Sequence, residues 1–450
     1  MEALLNQAIL LVDDQPEQAI PIFDTVFSSP EATAAEKEKA LLSLAIISER
    51  KSDVELLSRI FNGARDFLVS IPKAKSSKLV QVLVDRFSNI PGSQEVQINI
   101  CKDSIQWARS ENRNYLLQAL EKKLSSLYFD SKKYSLALEL VEKLLYDLKK
   151  VDDKMELVEV HLTEAKIYHV LCNISKSKAA LTSARTSANS IYTPPPLQAA
   201  LDLYSGILHC EEKDYKTAYS YFFETLEGLT SYFVPQPSTS SKVEVQNSSA
   251  PNYQSFLHGQ DKLRLSKSLE ERQEQALIYM LLCKIMLLTP EEAPSLVGIG
   301  KSASKFRNSP FVVAMLSVAN AQKLRSLFDF EKALADNRKL INSDPLVRAH
   351  LASLYDTLLG QNLLRIIEPY STVEISHIAK LINLPVSIVE SKLSQMILDN
   401  KLSGILDHGN GCLIIFNDMD NDQLYDSSLS IVKNMNLVVD SLYEKASLLN

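Results

Sequence analysis

From the first residues to about Leu229, apolar side chains recur every three or four positions, in segments parted by short polar turns. That spacing predicts amphipathic helices rather than strands, whose apolar positions alternate. Several segments share a finer pattern of polar turn, aromatic residue, alanine three residues on, then a long apolar-periodic helix. KKYSLALELVEKLL (Tyr134, Ala137), KDYKTAYSYFFETL (Tyr215, Ala218) and FDFEKALADNRKLI (Phe330, Ala333) carry it fully; NISKSKAALTSARTSA (Ala179) and DQPEQAIPIFDTVF (Ala19) carry it weakly. A small alanine lets a neighbouring helix come close, and the aromatic fills the groove beside it. The steps from Ala137 to Ala179 to Ala218 are 42 and 39 residues, about one helical hairpin each. Residues 1–230 are therefore expected to form a TPR-like, right-handed α-solenoid in a mainly α protein, its core buried between successive repeats.

The pattern then changes. SYFVPQPSTSSKVEVQNSSAPNYQSF is rich in Ser, Pro, Asn and Gln, and residues 231–262 read as a flexible insertion, since a longer loop adds little closure entropy. Residues 263–345 resume the helical period and end at Ser343–Pro345, a turn signal. Residues 346–418 read as a winged helix. A helix through HLASLYDTLLGQNLLRII is followed by a capping box from Ser371 to Glu374 that opens a helix through His377 to Leu381. A second box, Ser387 to Glu390, follows Pro385 and opens IVESKLSQMILDN; LSGILD, the turn His408–Gly411 and CLIIF then form a hairpin. Residues 419–450 form a last helix. Its Val432, Met435, Val439, Leu442, Ala446 and Leu449 are spaced 3, 4, 3, 4, 3, a heptad stripe suited to a helical bundle. The competing expectation is that this helix packs back on its own winged helix.

Composition narrows the function. Only 11 of 450 residues are glycine, which disfavours a Gly-rich nucleotide site and suits long helices. The net charge of −7 argues against a nucleic-acid partner, as phosphates need a basic surface. Residues 1–58 hold eleven acidic and four basic side chains, with a basic excess over 59–123; this reads first as a solvated surface. The exposed face of the second winged-helix helix offers Glu390, Lys392, Gln395 and Asp399 and no arginine, a poor reader of base edges. Cys101, Cys172, Cys210, Cys283 and Cys412 are far apart and without CxxC, as expected for buried free thiols in a reducing compartment. No signal peptide or membrane-length apolar run is read, since Lys284 interrupts the longest one, Ala276–Leu288.

Enzyme motifs fail on their spacing. GIGKS (Gly298–Ser302) has Ser295 where a phosphate-binding loop needs glycine. His161 and His169 share a helix without HExxH, and HCEE (His209–Glu212) reads as a helix end. No GxSxG occurs. No catalytic residue, metal or cofactor is expected.

The run LYDTLLGQNLLRIIEPYSTVEISHIAKLINLPVSIVESKLSQMILDNKLSGILDHGNGCLIIF resembles the PCI-domain subunits of the 26S proteasome lid, as do KLVQVLVDRFSNIPGS, SKAALTSARTSANSIY and SGILHCEEKDYKTAYSYFFE. The resemblance covers roughly residues 60–450, the insertion excepted; the first 50 or so residues carry no recognisable motif. It implies a non-catalytic scaffold in a hetero-oligomer, cytoplasmic and nuclear, with no nucleic-acid or membrane partner. PCI subunits pack side by side through their winged helices. The hairpin edge, Leu402, Ser403, Gly404, Ile405, Leu406 and Asp407 with Cys412, Leu413, Ile414, Ile415 and Phe416, is thus expected to pair with a neighbouring PCI subunit. The heptad stripe would enter a bundle of C-terminal helices. The implied partners are other PCI lid subunits, the lid deubiquitinase subunit, the ATPase ring and the core-particle α-ring, which the N-terminal solenoid would reach. The lid's zinc deubiquitinase signature is absent. The matching scaffold of the COP9 signalosome is the same-fold alternative, and a winged-helix nucleic-acid-binding protein the alternative of another class.

Overall fold

The computed structural model describes residues 8, 16–29, 33–90, 92–233, 253–289, 291, 293–298, 305–324, 326–342, 344–382, 384–407, 409–416 and 423–447. They fall into two units, Met1–Ala276 and Leu277–Asn450.

The first unit is a succession of antiparallel helices: α1 (Pro16–Ser28), α2 (Ala34–Lys51), α3 (Val54–Gly63), α4 (Arg65–Ser70), α5 (Lys73–Phe87), α6 (Gln94–Ser110), α7 (Asn114–Asp130), α8 (Tyr134–Val151), α9 (Lys154–Val170), α10 (Ile174–Asn189), α11 (Pro195–Glu211) and α12 (Tyr215–Phe233). Side chains mark their starts. Thr33 makes a full capping box with Glu36, and Asp53, Asp153 and Asn173 accept from the amide three residues on.

Left-handed residues mark their ends, at Asn112, Lys132, Asp152 and Cys172, each 20 residues after the last, and again at Lys213. At Asn112, Lys132, Cys172 and Lys213 the next amide reaches back five residues, as Arg113 N to Ala108 O at 2.9 Å. This closes a Schellman turn, in which the left-handed residue is usually glycine. Here Asn, Lys and Cys fill it, which accounts for part of the glycine scarcity.

Two such 20-residue helix-and-turn steps make one repeat of about forty residues. Ala137 and Ala218 are fully buried at equivalent positions. The intervening member is not Ala179, which is exposed, but Ser177. Its buried Oγ donates to Ala165 O at 2.8 Å. A small side chain was required there, and serine meets the requirement once its hydroxyl has a partner.

Polar contacts tie each repeat to the next at separations of 35 to 37 residues. Arg86 donates to Glu49 at 3.0 Å, Lys122 to Glu159 at 2.9 Å and Arg185 to Tyr221 at 2.9 Å; Arg113 donates to Ser76, and His169 Nδ1 meets Tyr204 Oη at 3.1 Å. The apolar core runs along the array beneath them. One cluster extends from Leu41 to Ile167 and the next from Val158 to Leu208, so α9 buries side chains on two faces.

Helix α13 (Tyr253–Met286) passes from one unit into the other. It starts inside the stretch expected to lack helix. Tyr253, Phe256 and Leu257 already keep helical spacing, and the polar residues between them concealed it. The rest of that stretch, 234–252, lies outside the described residues.

The second unit continues through α14 (Ala293–Gly298), α15 (Pro310–Leu324), α16 (Leu327–Asp336), α17 (Arg338–Ile341) and α18 (Pro345–Ile367). Asp344 caps α18 and also accepts from Tyr279 Oη at 2.7 Å. Then come β1 (Thr372–Glu374), α19 (Ile375–Ile382), α20 (Val386–Leu398), β2 (Gly404–Asp407), β3 (Cys412–Ile415) and α21 (Gln423–Ser447). The order helix, strand, helix, helix and hairpin is that of a winged helix. One core joins Leu363 and Ile367 of α18, Ile378 of α19, Leu393 and Met396 of α20, and Leu413 of β3.

Two expected capping boxes are not formed. Thr372–Glu374 pairs with β3, Val373 opposite Leu413, so the helix begins only at Ile375. Helix α20 begins at Val386, before Ser387, with Pro385 at its N-cap and no side-chain cap. Proline's fixed φ starts this helix instead.

Candidate partner-binding surfaces

The sheet order is β1-β3-β2. This divides the residues expected to form the hairpin edge. Cys412, Leu413, Ile414 and Ile415 lie in the central strand, bonded to β1 on one side and β2 on the other, and offer no edge. Gly404, Ile405, Leu406 and Asp407 do form one. The error is one of topology: the three residues of β1 carry no strand signal of their own.

Gly404 is required where it stands, for a Cβ there would lie 2.7 Å from Ile414 O. Asp407 closes the turn, accepting from Gly409 N and Asn410 Nδ2, both at 2.9 Å. Leu402 and Leu413 face the core, while Leu406 and Ile415 pack partly against it. Ile405, Ile414 and Phe416 are exposed, with Ile405 directly opposite Ile414. Phe416 N donates to Ser403 O and so continues the pairing by one residue. Among the described residues β2 is an outer strand of the sheet, and beside it lies an apolar patch.

The DNA-reading face is weaker than the sequence suggests. Lys392 is only 15% exposed, near Asp356 at 3.7 Å, and so does not project from α20. The exposed positions of α20 are Val386, Ser387, Ile388, Ser391, Ser394, Gln395 and Leu398, a set without a basic side chain to neutralise phosphates.

Helix α21 is the most exposed element. Val432, Met435, Val439, Leu442 and Ala446 are all exposed, and Leu449 lies outside the described residues. Tyr425, Leu429, Ile431, Val438 and Tyr443 are exposed as well. At 100° per residue these side chains cover about half the circumference, wider than a two-helix seam. No described side chain of α21 from Ser427 onward is buried or half-buried.

The residues singled out for chemistry serve structure. His161 pairs with Glu164 at 2.9 Å, and His169 bridges Tyr204 and Glu211. His209 stacks on Tyr221, and burial lowers its pKa. HCEE does end a helix, at Glu211. Beyond Gly298, GIGKS lies outside the described residues. Among the described residues no group of three His, Cys, Asp or Glu side chains is placed to hold a metal, and no helix is long and apolar enough to cross a membrane.

The thiols divide. Cys101, Cys210 and Cys283 are buried, and burial pushes Cys101 up to about 12. Cys172 is exposed and Cys412 half-buried, contrary to the expectation for all five. The left-handed turn position turns Cys172 out of the core.

A helical array ending in a winged helix defines the PCI class, and a family model described as the PCI domain matches residues 334–417. Two narrower models flank it: the 26S proteasome regulatory subunit RPN6 N-terminal domain over residues 1–131, and the RPN6 C-terminal helix domain over 421–447. A fission yeast (Schizosaccharomyces pombe) protein named probable 26S proteasome regulatory subunit rpn6 is 45% identical over 438 residues, covering 96% of this chain and 95% of the relative. An Arabidopsis thaliana protein named 26S proteasome non-ATPase regulatory subunit 11 homolog is 42% identical, covering 97% and 96%. RPN6 of Saccharomyces cerevisiae is 42% identical, covering 92% and 88%. The chain belongs to the family of 26S proteasome regulatory subunit Rpn6, also called non-ATPase regulatory subunit 11. The match over residues 1–131 reaches the first 50 residues, where no motif was recognised.

Proposed function

We propose that this chain is a non-catalytic scaffold of the 26S proteasome regulatory particle, needed to assemble the lid and to join the regulatory particle to the core particle in ubiquitin-dependent degradation. The observation that carries this reading is α21: a 25-residue helix whose apolar half-face stands in solvent. Apolar surface of that extent is a protein-binding surface. The outer strand β2, with Ile405 exposed on it, supplies a second contact, through strand addition from a neighbouring PCI subunit. The first unit extends the array toward the ATPase ring and the core-particle α-ring. The subunit works in cytoplasm and nucleus within a hetero-oligomer that includes the lid deubiquitinase subunit, without cofactor or nucleic acid.

The test is Val439→Asp with Leu442→Asp. Each change puts a charge into an apolar bundle at a cost of several kcal/mol. The variant is expected to fold yet fail to enter the lid in a pull-down of tagged chain. Normal incorporation would remove α21 from the interface. Recovery of signalosome rather than proteasome subunits with the unmutated chain would overturn the assignment.

A further inference from the structure

A groove of about 370 Å³ crosses α5, α7 and α9 on the first unit. Its volume lies within the range of roughly 300–1,000 Å³ common to binding pockets, and its charges are ordered in depth. The two lysines and Glu156 lie inward, and the lysines already have partners: Lys123 bonds Asp85 at 2.7 Å, and Lys122 bonds Glu156 at 2.6 Å and Glu159 at 2.9 Å. Burial would lower the Lys122 pKa, but the bonds to its two glutamates outweigh it and raise the value. The carboxylates of Asp85 and Glu159 stand outermost, 62% and 42% exposed, against 30% and 25% for their lysines. Three carboxylates against two ammonium groups leave the groove with one excess negative charge. Beside them the ring of Tyr115 is 68% exposed.

An anion entering here would have to break existing ion pairs. A cation would not. Each carboxylate has lone pairs to spare, and the tyrosine face attracts a guanidinium or ammonium group.

We propose that this groove receives an arginine or lysine side chain on an extended segment of a partner protein, held by Glu159 and Asp85 and stacked on Tyr115. The direct probe is a fluorescein-labelled acetyl-Gly-Arg-Ser-Arg-Gly amide, titrated into the full-length chain at low salt and followed by anisotropy. A control peptide carries citrulline, the neutral isostere, in place of each arginine. The arginine peptide is expected to bind and the citrulline peptide not. Glu159→Gln should weaken binding roughly tenfold, as loss of one charged hydrogen bond does. Tyr115→Leu should weaken it about threefold, through loss of the cation–π contact. Glu139→Gln on the exposed side of α8 removes the same charge away from the groove and should leave binding unchanged. Circular dichroism of each variant confirms that it is folded. Equal binding of the two peptides, equal weakening by Glu139→Gln, or no binding would each overturn the proposal.

Discussion

The solenoid and the C-terminal helix treat their surfaces in opposite ways. In the first unit each repeat finds its partner in the next, and even charged groups are enclosed, as where Arg86 meets Glu49 with both side chains about 95% buried. The described side chains of α21 are all exposed, although half the face of this helix is apolar in sequence. The solenoid buries its apolar stripes between repeats, while the described side chains of α21 leave theirs exposed. Regularity of pattern does not separate the two cases. What separates them is whether other described residues of the chain cover the stripe.

The largest expected effect tests the enclosed side of this contrast. Arg86→Ala breaks this buried ion pair by removing one partner, and should cost about 3–5 kcal/mol in urea unfolding. Replacing both residues, Arg86→Met with Glu49→Leu, should recover most of that loss, because an apolar pair needs no ionic partner. If Arg86→Ala alone costs under about 1 kcal/mol, the repeats are not locked together at this point.

A smaller loss is expected from Gly206→Ala on α11. The added Cβ would lie 2.5 Å from Cε1 of Phe222 on α12, and overpacking of this kind costs about 1–3 kcal/mol. Phe222→Leu in the same chain should relieve it. An unchanged melting temperature in the single variant would show that the two helices can move apart, which is not the behaviour of a closely packed array.

The repeat turns supply a gain of smaller size. Lys132 holds φ at +59°, a conformation costing about 1–2 kcal/mol for a residue with a Cβ. Glycine removes that strain but adds roughly 0.5–1 kcal/mol of unfolded-state entropy. Lys132→Gly should therefore stabilise the chain by up to about 1 kcal/mol. A loss instead would mean that the lysine side chain stabilises the turn by more than its backbone strain costs.

These sites also show what the sequence could and could not disclose. Helical period, the forty-residue repeat and the order of helices and hairpin in the winged helix were legible because each rests on local spacing. Position 177 was missed because serine can do the work of alanine once its hydroxyl finds Ala165 O, and that partner lies on another helix. The edge of the sheet was misjudged because β1 is three residues long and its pairing with β3 is non-local. Lys392 looked available to a partner because Asp356, which draws it in, lies 36 positions earlier. In each case the missing information was tertiary. On α21 the positions from Val432 to Ala446 are all exposed and Leu449 lies outside the described residues, so only the local spacing of the stripe was legible.

The smallest expected effect sharpens the comparison most. Val439→Asp with Leu442→Asp exchanges two apolar side chains that are about 60% exposed in the free chain. Surface changes of this kind fall within about 0.5 kcal/mol, so the isolated protein should unfold at the same urea concentration as before. The same kind of change at Val141 and Leu144, fully buried on α8, should prevent stable folding, since burying an unpaired charge costs several kcal/mol. If the α21 pair instead destabilises the free chain by more than about 2 kcal/mol, that helix is already covered in solution, by its own chain or by a second copy. A dilution series then decides between those two: loss of stability on dilution indicates a second copy, and independence of concentration an internal contact. No change in the free chain, together with loss of lid incorporation, would mean that the stripe's stabilising contacts all lie in the assembly.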